Sequence, residues 1–167
     1  MLMPIEVRPA VYEEKAILRH LLHLYLYELS QFTQCDVDAQ GLYEYRYLDH
    51  YWTEAERHPF LLQIEGQWAG FCLLRVQEDG KRSVSEFFVA RKYRREGVGS
   101  RMARLIFDLF PGRWEISQLP DHIESHLFWR QVIGQYTEGD YREETLDLGA
   151  WQQPVQYFDN SLRGSRA

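Results

Sequence analysis

Between Pro59 and Ala90 the chain alternates short apolar runs with turn signals: PFLLQI, EGQ, WAGFCLLRV, EDGK, then SVSEFFVA. Punctuation of this kind predicts three antiparallel strands joined by hairpins, because Gly66 and the Asp79-Gly80 pair supply the positive φ that tight turns need. A helical period comes first. From Glu13 to Phe32, the residues Leu18, Leu21, Leu22, Tyr25, Leu29 and Phe32 recur at three- and four-residue steps, which predicts an amphipathic helix burying one stripe. Residues 42–52, LYEYRYLDHYW, fit either period. Tyr43, Tyr47 and Tyr51 would share a helical face, and Tyr43, Tyr45 and Tyr47 a strand face, while the TEAER that follows favours helix.

After the strands comes RKYRREGVGSRMARLIFDLFPG, where Met102, Leu105, Ile106 and Leu109 predict a helix from near Ser100 to Pro111-Gly112. RWEISQL then reads as a strand, HIESHLFWRQVIG as a helix closed by Gly134, and YREETLDL as another strand. The order implies a mixed α/β (α+β) fold: a central mixed sheet with helices on both faces. With 167 residues, no repeats and no linker, one domain over 1–160 is expected, with 161–167 a frayed tail.

No run approaches the roughly 18 apolar residues of a bilayer span, and MLMPIEVRPAVYEEK lacks the layout of a signal peptide, so a soluble, cytoplasmic protein with no membrane partner is expected. Cys35 and Cys72 are too few for a disulfide framework and read as reduced thiols, Cys72 as a small core residue. A net charge of −6 argues against a general nucleic-acid binder. The positive charge is concentrated, however. Arg91, Lys92, Arg94, Arg95, Arg101 and Arg104 lie between 91 and 104 against the single acid Glu96. A nucleic-acid contact is the rival reading of that cluster, and strong salt-dependent retention would be its sign.

Strand, glycine-bearing basic loop and helix N-terminus together make an anion site. Gly97 and Gly99 permit close backbone approach, and the free N–H groups and dipole of the helix near Ser100 favour negative charge such as a diphosphate. The spacing is neither GxxxxGK[ST] nor GxGxxG, so the P-loop and the dinucleotide fingerprint both fail.

Arg94-Arg95-Glu96-Gly97-Val98-Gly99 resembles the Q/R-x-x-G-x-G/A motif of the Gcn5-related N-acetyltransferase (GNAT) family, and SHLFWRQVIGQYTEG is similar to that family's later block A-x-x-F-Y-x-x-x-G-F. The resemblance covers roughly 60–145 and implies a mostly antiparallel GNAT-like sheet and acetyl-CoA as acyl donor. It also implies that the loop from Arg94 to Gly99, with Ser100, takes the pyrophosphate, and that Phe87, Phe88 and Val89 line the pantetheine arm. Phe128 and Trp129 stand at the F-Y pair. Where many members have a tyrosine proposed to protonate the departing thiolate, Trp129 offers an indole N–H that cannot act as an acid near neutral pH. His122 and Ser125 depart from the usual Asn and Ala.

Acetyl transfer to an amine requires a neutral nucleophile, a donor to the thioester oxygen, and a proton for the sulfur. An alkyl ammonium has a pKa near 10, so a base is needed. Glu86, three residues before Val89 on the strand that resembles the cofactor strand, is the candidate base; its other role is a solvated or ion-paired strand residue. The Val89 amide is the candidate oxyanion donor. For the acid, Tyr136, Tyr141 and water are the candidates.

His20 and His23, three apart, and His122 and His126, four apart, have spacings that can hold zinc, yet no third ligand is suitably spaced, so no metal is expected. Residues 1–60 carry ten acidic and five basic side chains, and 115–147 eight and two, which would draw in a cationic amine, either a small molecule or a peptide. The aromatic run at 42–52 could wall such a ligand by cation–π contact, or serve as core or as a homodimer patch. The rival to an enzyme is an acetyl-CoA-binding sensor without turnover, a reading prompted by Trp129.

Overall fold

A computed structural model describes residues 2–162. Seven strands form a mixed, mostly antiparallel sheet in the order β1-β2-β3-β4-β5-β7-β6, accompanied by three helices. The strands are β1 Ile5–Pro9, β2 Arg57–Ile64, β3 Gln67–Val76, β4 Arg82–Val89, β5 Arg113–Ser117, β6 Arg142–Asp147 and β7 Gln152–Asp159. The helices are α1 Lys15–Thr33, α2 Val98–Leu109 and α3 Ile123–Tyr136. No helix among the described residues is long and apolar enough to cross a membrane. By contacts the chain forms two compact units, one of Met1–Arg75 with Ser85–Gly99, the other of Val76–Val84 with Ser100–Ala167.

In the first unit α1 buries Leu18, Leu22 and Leu29, and the first two pack with Leu61, Phe71, Leu73 and Phe88. The helix stops at Gln34, whose left-handed backbone (φ 57°) lets its N–H reach the Ser30 carbonyl at 2.9 Å. β2 and β3 join through Glu65-Gly66, both at positive φ as a tight hairpin demands. Gly70 on β3 has no room for a side chain: a Cβ there would stand 2.1 Å from the Phe88 carbonyl oxygen.

The sequence reading missed β1, a five-residue strand ended by Pro9 and paired with β2 from Ile5↔Ile64 to Pro9↔Phe60. The stretch 42–52 is neither long helix nor strand. It is irregular until a 3₁₀ turn at Asp49–Trp52, and TEAER runs through turns into β2 instead of forming helix. Tertiary contacts fix this path: Leu48 and Tyr51 are buried, and the Trp52 indole donates to the Ala10 carbonyl at 3.0 Å.

The second unit gathers Met102, Ala103, Ile106 and Phe107 of α2 with Trp114, Ile116, Trp129, Val132, Ile133 and Phe158 as buried apolar residues. Phe107 sits at the centre, with ring centroids 4.9 Å from Trp114, 5.1 Å from Tyr136 and 5.0 Å from Phe158. α2 begins at Val98, two residues before the expected start near Ser100, because Gly97 (φ 74°) makes the last non-helical turn. α3 continues past Gly134 to Tyr136; the chain reverses only at Glu138-Gly139, both at positive φ, where the Gly139 N–H caps the Gly134 carbonyl at 2.9 Å. β7 was also missed. It pairs with β5 and β6, contains Pro154, and buries Gln156, whose amide exchanges hydrogen bonds of 2.6 and 3.0 Å with Gln118. Of the expected frayed tail, Ser161 is bonded to Asp159, and 163–167 lie outside the described residues.

Candidate active site

β4 ends at Val89, a 3₁₀ turn spans Arg91–Tyr93, and the loop then enters α2. Arg94 is half-buried and pinned at three places. Its Nε donates to the Val89 carbonyl at 2.7 Å, its Nη2 to Glu28 Oε2 at 2.7 Å, and its guanidinium lies 5.6 Å from the Phe88 ring centre. Glu28, from α1, also accepts from Arg91 Nε at 2.8 Å. Burial alone would raise the Glu28 pKa, but the hydrogen bonds from Arg94 and Arg91 prevail and lower it.

The next three residues, Arg95, Glu96 and Gly97, are exposed, with Arg95 (φ 68°) and Gly97 (φ 74°) both in the left-handed region. No atom lies within 4 Å of where a Gly97 Cβ would be, so the backbone here faces open space that a ligand can enter. Val98 is buried and anchors the first turn of α2, while Gly99 and Ser100 stay partly exposed on it. The first N–H groups of any helix lack intrahelical partners. Basic side chains, open backbone and a helix N-terminus together suit a pyrophosphate.

Upstream on β4, Phe88 and Val89 are buried and Phe87 is partly exposed. Glu86 is partly buried in the first unit, where the Tyr45 hydroxyl donates to its Oε1 at 3.3 Å and the Tyr25 hydroxyl also bonds its carboxylate. Desolvation pushes the Glu86 pKa up to about 7, against the pull of the two tyrosine donors, which favour the charged form. The same burial raises the pKa of Tyr25 and Tyr45, so both remain protonated donors. It raises the Cys72 thiol too, which makes that buried cysteine inert as a nucleophile.

Glu86 borders a cavity of about 580 Å³ that is also lined by Glu44, Tyr45, Arg46, Tyr47, Arg57, Arg75 and Ser85. Three arginines and two glutamates line it, which differs from the negative surround expected from charge counts. The aromatic run contributes Tyr45 and Tyr47 to the wall and Leu48 and Tyr51 to the core. Tyr25 and Tyr45 are the site residues that sequence reasoning missed. The helical period placed Tyr25 on the buried stripe, but nothing in the sequence joined it to Glu86.

Phe128, Trp129 and Tyr136 come together in the second unit. Trp129 is buried, with its ring edge-on to Phe128 at 5.0 Å. The Tyr136 hydroxyl donates to Asp108 Oδ1 at 2.8 Å and accepts from Asn160 Nδ2 at 3.1 Å. Among the described residues, no group of three or more His, Cys, Asp or Glu is arranged to hold a metal. His126 is engaged by Glu143, and His122 precedes α3 as its N-cap.

Several solved structures share this fold. An acetyltransferase from Thermus thermophilus is 12% identical with a TM-score of 0.67, over 95% of this chain and 98% of that one. The ribosomal-protein-S18-alanine N-acetyltransferase from Escherichia coli is 13% identical with a TM-score of 0.61, over 98% and 99%. A spermidine N-acetyltransferase from Vibrio cholerae, solved in complex with CoA and spermine, is 9% identical with a TM-score of 0.63, over 94% and 96%. At such identities the likeness is one of fold. Comparison with curated proteins returns no match. The model of the Acetyltransferase (GNAT) family matches residues 21–134, which takes in Tyr25, Glu86, the Arg94–Gly99 loop and Trp129. With more than half its length matched, the chain belongs to the acetyltransferase (GNAT) family.

Proposed function

We propose that this protein is an N-acetyltransferase that moves the acetyl group of acetyl-CoA directly to the primary amine of a small molecule or peptide. The observation that carries this reading is a carboxylate poised near neutrality, Glu86, on the wall of a cavity of about 580 Å³. Bound acetyl-CoA supplies an activated thioester. The chain's own residues supply the rest. Backbone N–H groups at Gly97, Val98 and Gly99 hold the pyrophosphate, with Arg95 and Ser100 beside them and Glu96 turned to solvent. Phe87, Phe88 and Val89 flank the pantetheine arm, and the Val89 amide is assigned to the thioester oxygen.

Glu86 takes the ammonium proton, directly or through one water. With its pKa at about 7 it is ionised in a large fraction of molecules near neutral pH and still basic enough to accept. Trp129 has no acidic proton to give. Tyr136 must first release its bond to Asp108, so protonation of the thiolate is assigned to water. The free thiols of Cys35 and Cys72 suit a reducing compartment such as the cytoplasm.

The test is thiol release from acetyl-CoA in the presence of a panel of primary amines, for the parent and Glu86→Gln. Amine-dependent release that falls about 100-fold or more in the variant supports the reading. Tight binding of acetyl-CoA with no release for any amine would favour a sensor without turnover.

A further inference from the structure

Two tyrosines hold the Glu86 carboxylate, and they are themselves held differently. Tyr25 lies on α1 with its ring edge-on to Phe71 at 5.7 Å and to Phe88 at 6.2 Å, so core packing fixes its hydroxyl. Tyr45 lies on irregular backbone and lines the cavity. Its hydrogen bond to Glu86 Oε1 is 3.3 Å, long beside the roughly 2.5–2.7 Å usual between a hydroxyl and a carboxylate. Of the two donors, Tyr45 is the one that a group entering the cavity meets, and the easier one to displace.

Tyr51 is only 2% exposed and packs in the core with Leu48. Its hydroxyl interacts with Ser85, Arg57 and Tyr45, yet none of them meets it in a well-aligned hydrogen bond. Folded proteins rarely leave a buried hydroxyl so, since it has lost its bonds to water and gained none. Arg57 is committed elsewhere: its Nε donates to Glu54 at 2.6 Å, and its guanidinium lies 5.4 Å from the Tyr51 ring centre. The Tyr45 hydroxyl has a single proton to donate, and two acceptors stand near it, the Glu86 carboxylate and the Tyr51 hydroxyl. In this structure the proton goes to Glu86, and Tyr51 is left short.

We propose that Tyr45 is a two-position donor and Tyr51 the positioning residue that receives it: an amine arriving at Glu86 takes over Oε1, and the Tyr45 hydroxyl turns to donate to Tyr51. This rests on reading Glu86 as the base. The ammonium N–H replaces the Tyr45 O–H on the carboxylate, so Glu86 keeps two donors until the proton is transferred. Tyr51 gains the bond it lacks, which offsets part of the cost of drying the amine. The exchange stays within the irregular stretch that carries Tyr45, while Leu48 and Tyr51 remain anchored in the core.

Two measurements test it. The first needs no amine and no turnover: urea unfolding of Tyr51→Phe in the parent and in a Glu86→Leu background, where Tyr45 has Tyr51 left to donate to. Tyr51→Phe keeps the ring and its contact with Arg57 and removes a hydroxyl without an aligned partner, so the parent's midpoint should hold or rise. In Glu86→Leu the same change should lower the midpoint, and Glu86→Ala repeats the comparison with a smaller side chain. A loss larger in the Glu86 variants than in the parent supports the exchange; equal effects overturn it. The second is acetylation of phenethylamine, and of any amine that outperforms it, followed by thiol release at pH about 9, where Glu86 is ionised. Tyr51→Phe should raise KM about 3- to 10-fold with kcat kept, because the Tyr45–Tyr51 bond is present in the amine complex and in the transition state alike. In a Tyr45→Phe background that increase should vanish. An unchanged KM, or an increase that persists without the Tyr45 hydroxyl, overturns the proposal while Glu86 stands as the base. Activity left intact by Glu86→Gln is the separate result that overturns the base.

Discussion

The Nε of Arg94 donates to the carbonyl oxygen of Val89 at 2.7 Å, closing the loop back onto the end of β4. The arginine of the motif is thus a structural clasp as well as a charge. It spans the strand end, Glu28 on α1 and the ring of Phe88, which no shorter or singly directed side chain can do. Arg94→Lys keeps the charge and loses the fork, so it should destabilise the fold by about 1 kcal/mol, since the pairs are only partly buried. Urea unfolding checks this, and the same variant should bind acetyl-CoA more weakly because the loop is less ordered.

Glu86 gives two linked pH effects. Activity needs its ionised form, so kcat/KM for the amine should rise through pH about 7, a limb that Glu86→Gln removes. Stability runs the other way. Because the folded-state pKa is raised, the group's contribution is full below its unfolded pKa and is lost as pH climbs through about 7. Glu86→Gln cannot ionise, so its stability relative to the parent should grow between pH ~5 and pH ~8, by roughly 1–3 kcal/mol. Denaturant melts at the two pH values measure it.

Tyr45 and Tyr25 both donate to the Glu86 carboxylate and so hold its pKa down against burial. Removing either hydroxyl takes away a bond that favours the charged form. Tyr45→Phe and Tyr25→Phe should therefore move the activity limb to higher pH, with activity at high pH largely kept. A pH–rate profile of each variant is the measurement, and a limb shifted to lower pH would contradict the assignment.

Gly70→Ala should cost about 2–4 kcal/mol, because its Cβ would meet the Phe88 backbone at 2.1 Å and neither strand can yield without breaking the ladder. The displaced Phe88 and Val89 lie in the proposed pantetheine strand, so acetyl-CoA affinity should fall with stability. Calorimetric melting and ligand titration of the same preparation report both.

The strands and helices that carry the proposed site were legible because their order is local. β2 through β4 announce themselves by apolar runs broken at Gly66 and Gly80, and α2 by its amphipathic period after Gly97. β7 was not legible, since Pro154 and the polar residues around it do not read as strand, and Gln156 is buried only because Gln118 reaches it from the stretch after β5. The path of 42–52 was ambiguous for a related reason: what shapes it is Trp52 on Ala10 and the burial of Leu48 and Tyr51, all contacts distant in sequence. Glu86 itself could be named from its place before Val89. Its tyrosine partners and the facing of Arg57 and Arg75 could not, because each depends on elements far apart in the chain coming together.

The proposed acetyl transfer requires the Arg94–Gly99 loop to take acetyl-CoA. Isothermal titration of the purified protein with acetyl-CoA, beside an Arg95→Glu, Gly97→Asp variant, measures this. Both substitutions fall on exposed positions, and a Gly97 side chain meets open space, so the strain of an L residue at φ 74°, about 1–2 kcal/mol, should leave the fold standing while the loop repels a diphosphate. Binding at roughly micromolar Kd by the parent, lost in a variant that still melts cooperatively, is the result predicted. No binding by the parent, or equal binding by the folded variant, would contradict it.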